Sequence, residues 1–264
     1  MTYESAHPSR RIALGVLSQA ALLAGAGAAT PTLAAPPPRS SDPGREALDA
    51  LTRHLADAPR RRTFGTVPLV VTSRDQWDHE AAEAVLAYKY RSLQVWECTQ
   101  LASPWLNLMR EAMTGQVFAH DNPGFLAVAA VHGSAHLALF DQVAWDTHNL
   151  ASLAGNAASR NSYFHRKPGT SPADSLQSIN GYYGPENNNI CTLQERGAVF
   201  VACHDSIHAI ARIVHQRDGG SGPSADMIAA DLTNHLVPGA VLVPSVVAFL
   251  VELQRTGFTY AKGD

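Results

Sequence analysis

Strong charge of either sign is missing from this chain. Lysine and arginine number 20 against 23 acidic residues, a formal net charge of -3. The one compact basic run, Arg60-Arg61-Arg62, is too short to follow a phosphate backbone, so nucleic acid is excluded as a partner. An apolar run fit to stay in a bilayer is missing too: the stretch from Ile12 to Ala29 is short for a span and diluted by Gly15, Gly25 and Gly27. Familiar catalytic signatures are equally absent. No H-E-x-x-H pattern occurs, no Ser-His-Asp order stands out, and Gly219-Gly220-Ser221-Gly222 lacks the lysine of a phosphate loop and follows a helix instead of a strand. Cysteine is down to three residues, Cys98, Cys191 and Cys203, so one is left over if two pair. What is present is 264 residues, 45% hydrophobic, enough for one ordinary domain with an ample core, together with an unusual 12 histidines.

Residues 1–35 have the form of an export signal. Ser9-Arg10-Arg11 precedes the apolar stretch, Thr32-Leu33-Ala34 offers a small-x-small cleavage site, and the paired arginines point to the twin-arginine route. The expectation is a mature chain that begins near Ala35, is periplasmic or secreted, and has no stable membrane span once the signal is removed. Residues 36–62 read as a linker and a short helix. Pro36 to Pro43 is a flexible leader, because consecutive prolines join neither a helix nor an interior strand. Ala47, Leu48, Leu51 and Leu55 then form one apolar stripe, ended by Pro59 and the arginine triplet. Residues 63–264 are expected to form a single domain.

The stretch from Gly197 to Gln216, GAVFVACHDSIHAIARIVHQ, organises that domain. Residues 198–202 are a short continuous apolar run, the pattern of a strand covered on both faces, and the run stops at Cys203. Ile207, Ile210, Ala211 and Val214 follow at helix spacing, and Gly219-Gly220 closes the helix. Cys203 therefore stands where a buried strand hands over to a helix, the place where open α/β sheets hold their ligands, and it faces the positive end of that helix. Residues 125–131, FLAVAAV, are a second buried run, ending in His132-Gly133. Residues 67–72, 240–243 and 258–261 are the remaining strand candidates, with helices expected between them. Alternating strand and helix predict an α/β fold, a three-layer α/β/α arrangement around a mainly parallel five-stranded sheet, with 125–131 and 198–202 as adjacent central strands. Residues 151–189 make a long polar insertion whose tyrosines, Tyr163, Tyr182 and Tyr183, and Phe164 argue for a lid, a binding loop or an oligomer contact.

Three motifs arrive in an order that resembles a known family. The strand ending in His132-Gly133 is one. The pattern Leu193-Gln194-x-x-Gly197-Ala198-Val199-Phe200 running into Cys203 is the second, and Val243-Pro244-Ser245 with Leu253-Gln254-x-x-Gly257-Phe258-Thr259-Tyr260 is the third. Together, over residues 125–260, they resemble the DsrE-like superfamily. The resemblance implies a three-layer α/β/α fold, frequent homo-oligomers, and a cysteine that carries sulfur as a persulfide, with Cys203 at a cysteine position of the pattern. The export signal, the insertion and the histidines depart from the cytoplasmic sulfur-relay members, so the fold transfers better than the activity.

Two chemistries follow from the residues. In the first, Cys203 is a thiol that accepts a sulfur atom from a small or sulfur-carrying substrate, and His132 or His204 assists its deprotonation. A pairing of Cys98 with Cys191 would staple the insertion and leave Cys203 free, although spacing does not decide connectivity. In the second, the chain is a non-catalytic binding protein. His132 with His136 and His204 with His208 each share a helix face, and with Cys203 and Asp205 nearby they offer ligands enough for zinc, copper or a haem iron. His132 and Cys203 are expected at one edge of the sheet, with the insertion as their cover.

Overall fold

The computed structural model describes residues 42–155, 159–217 and 219–264. The expected export signal and most of the proline leader lie outside the described residues. Among the described residues no helix is long and apolar enough to cross a membrane.

Among the described residues the α-helices and strands follow one another as α1 (Pro43–Asp57), α2 (His79–Ala87), β1 (Leu93–Cys98), α3 (Trp105–Thr114), β2 (Leu126–Val131), α4 (Gln142–Thr147), α5 (Ile190–Glu195), β3 (Val199–Cys203), α6 (His204–Arg217), α7 (Ala225–Asn234), β4 (Val241–Val243), α8 (Val246–Arg255) and β5 (Thr259–Lys262). The strands form one sheet in the order β4-β3-β2-β1-β5, every pairing parallel. The fold is the three-layer α/β/α expected, and β2 and β3 are neighbours within it. A parallel sheet covered on both faces needs apolar side chains pointing both ways, which is why every residue of β2 and β3 is buried and why both strands read as unbroken apolar runs.

Each face of the sheet supports its own core. Phe200 and Ala202 point into the first, with Trp105 and Met109 of α3, Leu193 of α5, Ile207 and Ala211 of α6 and Leu232 of α7. Val199, Val201 and Cys203 point into the second, with Leu48 of α1, Val85 of α2 and Phe249 and Leu253 of α8. Leu253 is fully buried, and withdrawing such a side chain from water contributes about 2 kcal/mol.

One strand assignment is corrected. Residues 67–72 are not a strand; β1 is Leu93–Cys98, whose polar Gln94 and Glu97 interrupt the apolar pattern. The 67–72 segment instead crosses the surface near α6 and leaves Leu69 and Val70 exposed. Helix α6 also starts directly at His204, without a turn before it.

The arginine triplet has a structural use. Edge strand β4 is only three residues long, and its outer backbone is met by Asp78, whose Oδ2 accepts from Leu242 N at 2.8 Å while its own N–H donates to Leu242 O at 3.0 Å. That cover removes an unpaired strand edge. Asp78 is wholly buried, so its charge needs partners. Arg62 Nη2 supplies one at 2.8 Å and the Arg61 N–H another at 2.9 Å.

Candidate functional site at the carboxyl edge of the sheet

The carboxyl ends of the strands place a row of polar side chains on one face. Strand register pairs Val131 with Ala202, so the next residues, His132 and Cys203, stand side by side at the ends of neighbouring strands. His132 is still extended, at φ -148° and ψ -173°, and therefore takes the face of Ala130 and Val128, the same face as Cys203. Its Nε2 lies 3.0 Å from Glu97 Oε1, and Glu97 shares that face through Leu93 and Val95 of β1. Tyr260 of β5 completes the row by donating its hydroxyl to Glu97 Oε2. That hydrogen bond raises the Tyr260 hydroxyl to about 12, since the proton is held on oxygen by the carboxylate. The sequence named His132 and Cys203 but neither Glu97 nor Tyr260.

Topology also singles out this edge. After β3 the chain enters α6, which packs into the first core; after β4 it enters α8, which packs into the second. Two adjacent strands whose connections leave toward opposite faces define the switch point at which open α/β sheets form a crevice. Cys203 is the last residue of β3 at that point. Its Sγ accepts a hydrogen bond of 3.4 Å from Val246 N, the first N–H of α8, at the positive end of that helix. The side chain is covered: Cys203 is 3% exposed.

The turn after β2 is set by Gly133. Its φ of +57° is a left-handed conformation, and an added Cβ would come within 2.6 Å of Thr99 O. With glycine there, Gly133 N donates to Ser206 Oγ at 3.3 Å, tying the end of β2 to the first turn of α6.

The four histidines proposed as ligands do not converge. His132 turns to Glu97. His136 lies in the interior, where Nε2 accepts the Cys203 N–H at 3.1 Å and Nδ1 has no hydrogen-bond partner; burial pulls it down to about 3. His204 and His208 face each other with ring centroids 4.7 Å apart, and both Nε2 atoms donate to the Pro68 carbonyl, at 2.7 and 3.0 Å. Burial lowers both below the ordinary histidine value. His136 belongs to a 3-10 turn over Gly133–Leu139 rather than to a regular helix with His132, so the spacing of four does not carry the two rings to one place. Among the described residues no group of three or more His, Cys, Asp or Glu side chains is arranged to hold a metal ion.

Two further expectations change. Cys98 and Cys191 are not paired; all three cysteines are free. Cys98 is buried at the end of β1, and desolvation pushes its thiol well above the usual value, while Cys191 is half-buried on α5 with its Sγ 3.7 Å from Glu195 Oε1. The 151–189 insertion does not cover the Cys203 face: Leu153, Tyr163 and Phe164 pack against the first core, on the opposite side of the sheet. Asn161 holds it there, donating to Ala138 O at 2.9 Å and Phe140 O at 2.7 Å.

The site thus belongs to a three-layer α/β/α protein with a thiol, an imidazole and a carboxylate in line at its carboxyl edge. Compared with protein-family models, with curated proteins and with solved structures, the chain finds no match.

Proposed function

We propose that this chain is an exported, DsrE-like protein that handles sulfur or thiol chemistry through Cys203. The observation that carries the reading is the register of β2 and β3, which sets His132 beside Cys203 on one face while Glu97 takes the Nε2 side of the imidazole. In this reading His132 accepts the thiol proton and Glu97 orients the ring and stabilises the imidazolium. The thiolate attacks the outer sulfur of a sulfane donor, the donor's S–S bond breaks, and its remaining thiolate leaves with the proton returned by His132. The products are a Cys203 persulfide and the donor's thiol, with no external oxidant or reductant. The Val246 N–H at the head of α8, 3.4 Å from Sγ, favours the thiolate that makes the attack.

Coverage of the sulfur sets the choice of donor: at 3% exposure only small donors are expected to reach it. Cys191 is more accessible and would dominate a crude thiol assay, so the test is run in a Cys191→Ala background. Incubation with inorganic polysulfide followed by peptide mass analysis is expected to add one sulfur atom at Cys203, to lose it in Cys203→Ser, and to slow it in His132→Ala. A Cys203 that stays unmodified under conditions that modify free cysteine overturns the proposal. A Soret band or stoichiometric metal in the purified protein would favour the ligand-binding reading instead.

A further inference from the structure

On the other face of the molecule, the insertion and the start of α3 line an open cavity of about 580 Å³. Its walls carry Arg160, His165, Arg166 and Lys167 against a single acidic side chain, Glu186. Two of the cations are already engaged: Arg166 bonds Glu195 and Lys167 bonds Glu186. Arg160 is not. It has no hydrogen bond or ion pair among the described residues, and neither does the Asn188 amide or the Ser162 hydroxyl, both of which also line the space. His165 adds a ring whose nitrogens make no hydrogen bond among the described residues.

We infer that this cavity binds a small polar molecule carrying a phosphate group. The chemistry of the walls selects the class. A free guanidinium offers a planar fork of donors that matches two oxygens of a tetrahedral anion. Ser162 and Asn188 supply neutral donors and acceptors of the kind that recognise a hydroxylated or amide-bearing body. The volume exceeds what a bare oxyanion fills and falls within the range of small-ligand pockets. The first turn of α3, whose N-cap Pro104 provides no side-chain cap, borders the same space and adds to its positive potential. The inference is independent of the thiol reading, because the cavity belongs to the insertion side of the sheet and Cys203 to the other.

Inorganic pyrophosphate is the probe. Isothermal titration of the full chain at low ionic strength is expected to give saturable one-site binding that weakens as salt rises. Arg160→Ala should reduce the affinity about tenfold or more, the usual effect of losing a charge-assisted contact. Ser162→Glu places a negative charge in the cavity from an exposed position and should abolish binding. Arg53→Ala, an exposed cation on α1, should leave the affinity within about twofold. No saturable binding by the parent chain overturns the inference, as does binding that Arg160→Ala and Ser162→Glu leave unchanged, or that Arg53→Ala weakens equally. Citrate in a parallel titration separates the anion class: tight citrate binding without pyrophosphate binding would replace phosphate by carboxylate and so overturn the assignment.

Discussion

His136 offers the sharpest quantitative test, because a single protonation would break the contact that anchors Cys203. The ring is completely buried and stays neutral in the folded chain down to about pH 3, whereas an unfolded histidine titrates near 6.5. Below pH 6.5 the unfolded chain therefore binds a proton that the folded chain refuses. The stability is fully present above 6.5 and is lost as pH falls toward 3, at about 1.4 kcal/mol per pH unit. Between pH 7 and pH 5 the loss from this residue alone is about 2 kcal/mol. The cause is geometric as well as dielectric: Nε2 accepts the Cys203 N–H at 3.1 Å, and a protonated ring would set two donors against each other. Urea unfolding of the parent chain and of His136→Gln at both pH values isolates the contribution. Glutamine offers an oxygen acceptor and does not titrate, and the contributions of His204 and His208 are common to both proteins. The parent is expected to lose about 2 kcal/mol more than the variant on acidification. Equal losses would mean that His136 is free to protonate in the folded state, and the account of how the end of β3 is held would be wrong.

Other perturbations probe the frame around the site. Asp78→Ala leaves Arg62 and the Leu242 N–H without their buried partner, and chemical denaturation should show a loss of about 3 kcal/mol or more. Gly133→Ala forces a side chain into a left-handed turn against Thr99 O; a loss of about 1–3 kcal/mol by the same assay is expected, and no loss would show that the turn relaxes. Leu253→Ala opens a cavity where α8 meets the sheet and should cost about 2–5 kcal/mol, measurable as a lower denaturation midpoint with an unchanged slope.

The sequence by itself determined the layered α/β architecture and its two central strands. A strand buried on both faces has no polar positions, so β2 and β3 are continuous apolar runs. Helices α1 and α6 were legible for the matching reason, an apolar stripe on one side. Strand β1 escaped because Gln94 and Glu97 reach the rim of the sheet and interrupt the pattern, and the apolar residues near Val67 took its place in the reading. The pair of His132 and Cys203 at one edge was also within reach, since parallel neighbours end together. Their partners were not. Glu97 and Tyr260 lie 35 and 163 positions from the residues they bond, and the four histidines differ only in which carbonyl, carboxylate or amide the packed chain brings to each ring. Periodicity records which side of an element faces the core. Which polar groups then meet across elements is decided by strand register and by the direction in which each helix leaves the sheet, and those exist only once the tertiary structure has formed.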